Sequence, residues 1–494
     1  MRFSNIQIVI VLTVLGTLIR WIYGLYFEAW NQAPDHIAWE LILREGSWNY
    51  TQLIHYPHEG GSILVSLISR FIGFFTSYDS LAISALILDS ISRFVQLWVV
   101  SKVFSRKVFW GFGAWTLLAT PFLLMWGMVN FGLHNTSSVF PFIFLYLLGL
   151  PQSQKNQWLL GIFLGIAIWF SYTNLILLPI YLIYQFITSS KKQSVIHTIL
   201  AFMVVFGIHV LIRLNFDPGF HLSNYGMTSI RGIDFLSFSS VHMQHLLGTW
   251  IKAIPQLAVG NTTTHFALIP TAIIWFILFI LSLKGIYTSF QNRKFSKSVY
   301  YAFLTIPVFL IAYGLSPFYY GNIQNGNFTT YRHLTYIFPI LSMMIIVGLS
   351  ELKYQKTLIM TYLFVPVVTA GISVINPIKN SQSRTSTLKS AGWVIGYKFG
   401  HDPSKLQSII SDSENYDLLL EGTGWGVCTA LFEKPTTSSE EMSNKINQLL
   451  RINNQFKPSE QIIFLQGVKY AFSPKANPQL PQETLHQILE KTAP

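Results

Sequence analysis

The sequence predicts an all-α polytopic membrane protein of about 11 transmembrane helices, followed by a small C-terminal α/β domain outside the membrane. Three observations carry this expectation. The 494-residue chain is 51% hydrophobic and only 11% charged, where soluble chains carry roughly a quarter charged residues. Its mean hydropathy is +0.42. The apolar residues gather in runs of roughly 15–25, the length that crosses a bilayer as a helix, until the composition changes near residue 376.

The first run, IQIVIVLTVLGTLIRWIYGLYF at 6–27, follows Arg2 and is not followed by a small-residue cleavage site, so it reads as a retained signal-anchor helix. Further spans are expected at 80–103, 109–130, 137–151, 157–172, 174–189, 194–213, 266–287, 299–316, 334–350 and 357–374. The stretch GSILVSLISRFIGFFTSY at 61–78 is short and carries Arg70, which suits an interfacial helix or part of a span.

Basic residues orient these runs. Arg2, Arg106 and Lys107, Lys155, Lys191 and Lys192, Arg293, Lys294 and Lys297, and Lys353 and Lys356 fall in alternate connections. Placing them in the cytoplasm puts the N-terminus inside. The connections 28–60, 131–136, 214–265 and 317–333 and the tail are then extracytoplasmic. A multi-pass protein of a bacterial inner membrane is the default location. The net charge of +12 belongs to this orientation and to anionic headgroups. Without a basic helix or an RNA-binding signature, nucleic acid is not an expected partner. Cys428 is the one cysteine, which excludes an intrachain disulfide.

The domains expected are therefore a transmembrane part, 1–375, whose outer connection 28–60 carries the candidate active site, and a soluble part, 376–494. In the tail, YDLLLEG and QIIFLQGVKYAF read as strands, and SSEEMSNKINQLLRINNQ as an amphipathic helix. GTGWG at 422–426 reads as a turn, since it lacks the context of a dinucleotide site.

Chemistry-bearing residues concentrate in the first outer connection. In APDHIAWELILREG, Pro34 favours a helix start, and Asp35, Trp39 and Leu43 share one stripe. An acid in that first turn complements the helix dipole. It could equally serve as a base at the membrane surface, taking a proton from an acceptor hydroxyl or amine. HYPHEGG at 55–61 reads as a loop marked by Pro57 and the Gly60–Gly61 pair. His55, His58 and Glu59 could fold back towards Asp35 and His36, a set of metal-ligand type with Mg or Mn as the candidate ion, although the spacing matches no zinc template. Elsewhere, Asp89 and Arg93 stand i, i+4 in a span and read as a structural pair. His209 and Arg213 form a candidate phosphate contact at a span end, and His242 and His245 stand i, i+3 on an outer connection. Asn49, Asn135, Asn261 and Asn327 begin N-x-S/T triplets.

The pattern D-x₁₀-G after the first span, followed by a His-Pro turn and an apolar stretch, resembles the GT-C superfamily of polytopic glycosyltransferases, in particular the protein O-mannosyltransferase and aminoarabinose-transferase branch. His36 stands where that branch commonly has a second carboxylate, and HYPHEGG has one proline where the branch often has two. TTYRHLTYIFPILSMMIIVGL at 329–349 is similar to the family's entry into a late span, with Tyr331, Arg332, His333 and Pro339. The resemblance implies transfer of a hexosyl or pentosyl group from a polyprenyl-phosphate-linked sugar to a glycan, lipid or protein acceptor on the extracytoplasmic face, with inversion. It implies Asp35 as the catalytic base. Tyr331, Arg332 and His333, with Arg213, His36, His55 and His58, would hold the substrate and the lipid phosphate. Two other functions fit the same layout: an O-antigen ligase or polymerase, and a lipid-linked sugar transporter or flippase, although no inverted halves are evident.

Overall fold

A computed structural model describes residues 4–27, 30, 33–45, 53, 59–75, 79–120, 123–124, 126–129, 133–188, 192–216, 240–259, 268–314, 333–375, 384–411, 413–432, 438–473 and 482–492. The helices are α1 Asn5–Phe27, α2 Pro34–Arg44, α3 Glu59–Gly73, α4 Ser80–Val103, α5 Arg106–Leu117, α6 His134–Ser137, α7 Phe140–Leu148 and α8 Gln154–Phe170. They continue with α9 Leu177–Thr188, α10 Lys192–Phe216, α11 Ser240–Gly248, α12 Ile254–Val259, α13 Ile269–Gln291, α14 Lys297–Phe303, α15 Thr305–Gly314, α16 Phe338–Ser350 and α17 Gln355–Ile375. The last six are α18 Arg384–Phe399, α19 Pro403–Ile410, α20 Tyr416–Phe432, α21 Ser439–Asn453, α22 Pro458–Ala471 and α23 Gln482–Thr492. No strand occurs among the described residues.

The chain divides into two compact units, one of residues 1–29 and 53–381, the other of 30–52 and 382–494. Among the described residues, six helical segments in the first are long and apolar enough to cross a membrane: Asn5–Phe27, Ser80–Val103, Val195–Phe216, Ile269–Gln291, Lys297–Gly314 and Gln355–Ile372. This composition is compatible with a multi-pass membrane protein.

The expectation of eleven spans is not supported: among the described residues only these six helices reach that length and apolarity. The run at 109–130 gives only the 12-residue α5, after which the helix ends at Leu118. The run at 137–151 breaks into α6 and the 9-residue α7, which restarts at Pro141. The 174–189 run begins as 3-10 turns at Tyr172–Ile176. Gly60–Gly73, Tyr172–Ile187 and Phe338–Ser350 are shorter apolar helices. Apolar length alone overcounts, because a buried helix is as apolar as a lipid-facing one. In α16 every residue from Phe338 to Ser350 is buried, so protein surrounds it on all sides.

Small residues set the closest crossings in this unit. An ideal Cβ on Gly285 of α13 would lie 1.9 Å from the carbonyl oxygen of Gly348 on α16, and one on Gly348 2.2 Å from that of Ser282. Helices that meet backbone to backbone in this way pack through van der Waals contact rather than through hydrophobic expulsion. On α1 the buried positions Val9, Leu12, Gly16, Arg20, Gly24 and Phe27 recur every three or four residues. Ile10, Val14, Leu18, Ile22 and Leu25 point outwards.

The second unit is helical throughout its described residues, which corrects the α/β expectation. YDLLLEG and GTGWG both lie in α20, and QIIFLQGVKYAF runs through α22. α20 packs between α18 and α22. It buries Leu419, Leu420, Gly422, Thr423, Gly424, Gly426, Val427 and Cys428, on more than one face, so no single helical stripe marks it in sequence. The amphipathic helix expected at the SSEEMSNKINQLLRINNQ run is α21, where the Ser438 side chain accepts a hydrogen bond from the Glu441 N–H at 3.1 Å. The core of this unit joins Leu406, Ile410, Leu419, Phe464 and Val468 to Ala38 and Ile42 of α2. The helix that follows the first span therefore folds with the C-terminal tail.

Candidate functional site

Local sequence builds α2 as expected. Pro34 opens it, Asp35 lies in its first turn and Arg44 in its last. Ala38 and Ile42 anchor one face in the core of the second unit, with Ile37 and Leu41 packed against it. Asp35 and His36 are buried, at 8% and 0% exposure, beside the enclosed Trp39 and Glu40. Glu40 also accepts from the Arg44 guanidinium at 3.1 Å. A carboxylate and an imidazole are thus fixed next to each other in the chain, on a helix that Ala38 and Ile42 anchor by packing.

His55 and His58 lie outside the described residues, as does the side chain of Glu59, so the Asp/His/Glu metal set falls largely outside them too. The glycines of HYPHEGG open α3 rather than a loop. Gly60 lies under the Trp169 ring, where a Cβ would come within 2.5 Å, and a Cβ on Gly61 would come within 2.3 Å of Leu133 Cδ1. Both are required by close packing.

The first unit contains a polar cluster that the sequence shows only in part. Asp89 on α4 is approached by two guanidinium groups, with Arg93 Nε at 2.8 Å and Arg20 Nε at 3.1 Å from Oδ2. The amide of Asn135 donates to Oδ1 at 2.8 Å. All three charged side chains are buried. The remaining donors are spread over the neighbouring helices. Arg20 Nη1 donates to the carbonyls of Thr116 (2.9 Å) and Gly16 (3.3 Å). Arg93 Nη2 donates to Thr17 Oγ1 and Ser90 Oγ, each at 3.2 Å. Two cations on one anion leave a surplus positive charge, which backbone and hydroxyl oxygens solvate in place of water. Asp89 and Arg93 are the expected i, i+4 pair. Arg20 completes it from α1, and an arginine inside an otherwise apolar 23-residue helix was the signal for it. Asn135, one of the N-x-S/T asparagines, has its amide committed to Asp89 and is not a free glycosylation acceptor.

From this cluster the polar residues continue towards the late motif. Ser92 Oγ donates to Thr136 O at 3.0 Å and Gln96 Nε2 to Ser138 Oγ at 2.9 Å, holding α6 against α4. α6 begins after Leu133, whose φ of 64° is left-handed. That turn places His134 against His333, with ring centroids 4.2 Å apart. Thr173 Oγ1 lies 3.4 Å from His134 Nδ1, and the Tyr313 ring centroid 5.8 Å from that of His333. The late motif is therefore brought to the 131–136 connection through His333, a pairing that nothing in the spacing of the two histidines announces. Tyr331 and Arg332 lie outside the described residues. Arg213 stands in the last turn of α10, and His209, buried, has the rings of Trp169 and Phe206 among its contacts. The side chains of His242 and His245 on α11 lie outside the described residues.

A helical chain with segments long and apolar enough to span a membrane, a buried charge cluster and a folded helical unit built partly from residues 30–52 is the class that fold and site define. Comparison with family models, with curated proteins and with solved structures finds no match.

Proposed function

We propose that the chain is a membrane glycosyltransferase that moves a hexosyl or pentosyl group from a polyprenyl-phosphate donor to a glycan, lipid or protein acceptor on the extracytoplasmic face. One observation carries the reading. The acid-bearing helix that follows the first span is not a bare linker but a core element of a folded unit, and it holds Asp35 and His36 enclosed. A transporter has no need to build an enclosed carboxylate and imidazole into such a unit. A transferase needs its base held in one geometry.

In this reading the acceptor hydroxyl oxygen attacks the anomeric carbon and its proton passes to the Asp35 carboxylate. The bond from the anomeric carbon to the phosphate oxygen breaks, and the polyprenyl phosphate leaves with the electron pair. Attack opposite the leaving group inverts the anomeric centre. Arg332 and His333 neutralise the developing phosphate charge, as a guanidinium does with two parallel hydrogen bonds. His36 orients the acceptor. A divalent ion such as Mg or Mn, if used, draws on His55, His58 and Glu59.

A second reading, a lipid-linked sugar transporter, is favoured by the Arg20–Asp89–Arg93 cluster, because charges inside spans commonly mark transport paths. One reconstituted assay separates the two. Purified protein in lipid receives radiolabelled polyprenyl-phosphate sugars and a cell-envelope acceptor, with and without EDTA. Transfer by the wild type, lost in Asp35→Asn and in Arg332→Ala, supports the transferase. Persistent transfer in Asp35→Asn removes Asp35 as the base. Movement of the lipid-linked sugar across the bilayer without transfer supports transport.

A further inference from the structure

The second unit carries a continuous strip of aromatic rings that the proposed chemistry does not use. Lys389, Trp393 and Tyr397 are i, i+4, i+8 on α18, and Glu421, Trp425 and Thr429 repeat the spacing on α20. The rings touch in series. Tyr397 stacks on Trp393 at 5.3 Å between centroids, Trp393 meets Trp425 at 5.7 Å, and Trp425 meets Tyr470 of α22 edge-on at 4.9 Å. Tyr397 is 37% and Tyr470 43% exposed, and the two indoles between them are half-buried. At one end the Lys389 ammonium donates to the Glu421 carboxylate. Towards the other, Trp393 Nε1 donates to Thr429 Oγ1 at 3.2 Å.

The backbone under the strip holds the rings at fixed spacing. An ideal Cβ on Gly392 or Gly396 would lie 2.1 or 2.3 Å from a carbonyl oxygen of α20, and one on Gly422 or Gly426 1.9 or 2.1 Å from one of α18. Gly467 of α22 meets the Glu421 carbonyl in the same way, at 1.7 Å. The three helices therefore meet backbone to backbone, and the rings stand above a contact that cannot slide without opening.

The chemistry of the strip selects its occupant. Its rings are amphipathic, with one polar edge each in the indoles and phenols. Among the described residues of this unit the only other large apolar side chain so exposed is Ile462. An aliphatic partner face or a membrane-inserted face needs more. Residues 30–52 and 382–494 hold 12 Lys and Arg against 14 Asp and Glu, while the rest of the chain holds 21 against 7. The unit thus lacks the positive charge that draws a surface to anionic lipid. Part-exposed rings, rimmed by a carboxylate, an ammonium and a hydroxyl, match a ligand with apolar C–H faces and a hydroxyl periphery and no net charge. We propose that this strip binds a neutral oligosaccharide, with sugar faces stacked on the four rings and hydroxyls bonded to Lys389, Glu421 and Thr429. The binding stands on this surface alone; its use as the acceptor subsite rests on the transferase reading.

The test uses the full-length protein in nanodiscs of phosphatidylethanolamine and phosphatidylglycerol, titrated with manno-, malto- and N-acetylglucosamine hexaoses. Saturable binding of at least one is expected. It should weaken at least about tenfold in the double variant Tyr397→Ser/Tyr470→Ser, whose side chains are exposed enough to be cut back without touching the core, and in Trp425→Leu. A spin label on Tyr470→Cys, in a chain whose native Cys428 is buried, should collide with a water-soluble relaxant more than with dissolved oxygen. Absence of saturable binding across the panel overturns the proposal. Binding that is unchanged in the ring variants overturns it also, as does a label that sits in the bilayer. Binding without sugar transfer from any donor leaves the saccharide surface standing and removes only the transferase reading.

Discussion

At the scale of single residues, the Asp89 carboxylate is the anion that Arg20 and Arg93 share among the described residues, and its removal strands two buried cations. Breaking a buried pair from one side costs roughly 3–5 kcal/mol, most of it the uncompensated charge left behind. Asp89→Ala is therefore expected to lower the thermal unfolding temperature in detergent sharply. The double change Asp89→Leu/Arg93→Met, which leaves only one cation, should recover part of the loss, and recovery is the outcome to look for. In the second unit, burial pushes the Cys428 thiol well above its usual value. Native protein should stay unalkylated by maleimide at pH 8 for as long as it stays folded, and should react at once in denaturant. Two groups set pH limits for this unit. The Ser404 hydroxyl and the Lys405 N–H hold the Asp402 carboxyl below its usual 3.8, so the stability it contributes is present above that value and lost as pH falls through the folded value. Burial, and then the Glu460 carboxylate, push the Tyr416 phenol up to about 12. The unfolded phenol ionises near its usual 10.0, so stability declines as pH rises from there towards about 12. Tyr416→Phe should remove that alkaline slope, read by circular dichroism against pH. Asp35 at a helix start and the Asp89–Arg93 spacing were legible in sequence. The partners of Arg20 and His134 were not, because each is joined to its partner across dozens of residues by packing rather than by periodicity; Arg20 shows in sequence only as a lone charge in an apolar helix.

At the scale of elements, glycine position decides which helices can approach. Gly422→Ala puts a Cβ 1.9 Å from the Lys389 carbonyl oxygen and must part α18 from α20. Gly371→Ala on α17 meets nothing within 4 Å. The first is expected to unfold the second unit or to cost several kcal/mol, and the second to be neutral or stabilising by about 0.5–1 kcal/mol through helix propensity. Thermal scans of the two variants side by side check the contrast, and equal effects would contradict the glycine contact. The same glycines explain why α20 was hard to read. GTGWG has the composition of a turn, but Gly422 and Gly426 face α18 and Gly424 faces α22, so in this chain the glycines are contact points of one continuous helix. α21 was legible because it buries only one side, Ile446, Leu449 and Ile452, and leaves the rest polar. α7 and α16 were legible as apolar but not as short, since apolarity records burial and not the medium that provides it.

At the scale of the whole molecule, the break in composition near residue 376 announced a separate C-terminal part. The membership of residues 30–52 in that part was not legible, because α2 shares no pattern with α18; Ala38 and Ile42 join the core of the unit, with Ile37 and Leu41 packed against it. The partnership has a topological consequence. In a chain that spans a membrane, two segments that fold into one unit lie on one face of it. The proposed transferase depends on the same fact, since it places Asp35 on a structural core rather than on a free connection. The most direct measurement of this claim is sidedness. With Cys428→Ser as background, Arg44→Cys on α2 and Ser404→Cys on α19, both exposed, are treated with a membrane-impermeant maleimide in sealed vesicles of known orientation. The account predicts that both sites label from the same side and are protected together in vesicles of the opposite orientation. Labelling from opposite sides would contradict the unit, and with it the site built on α2.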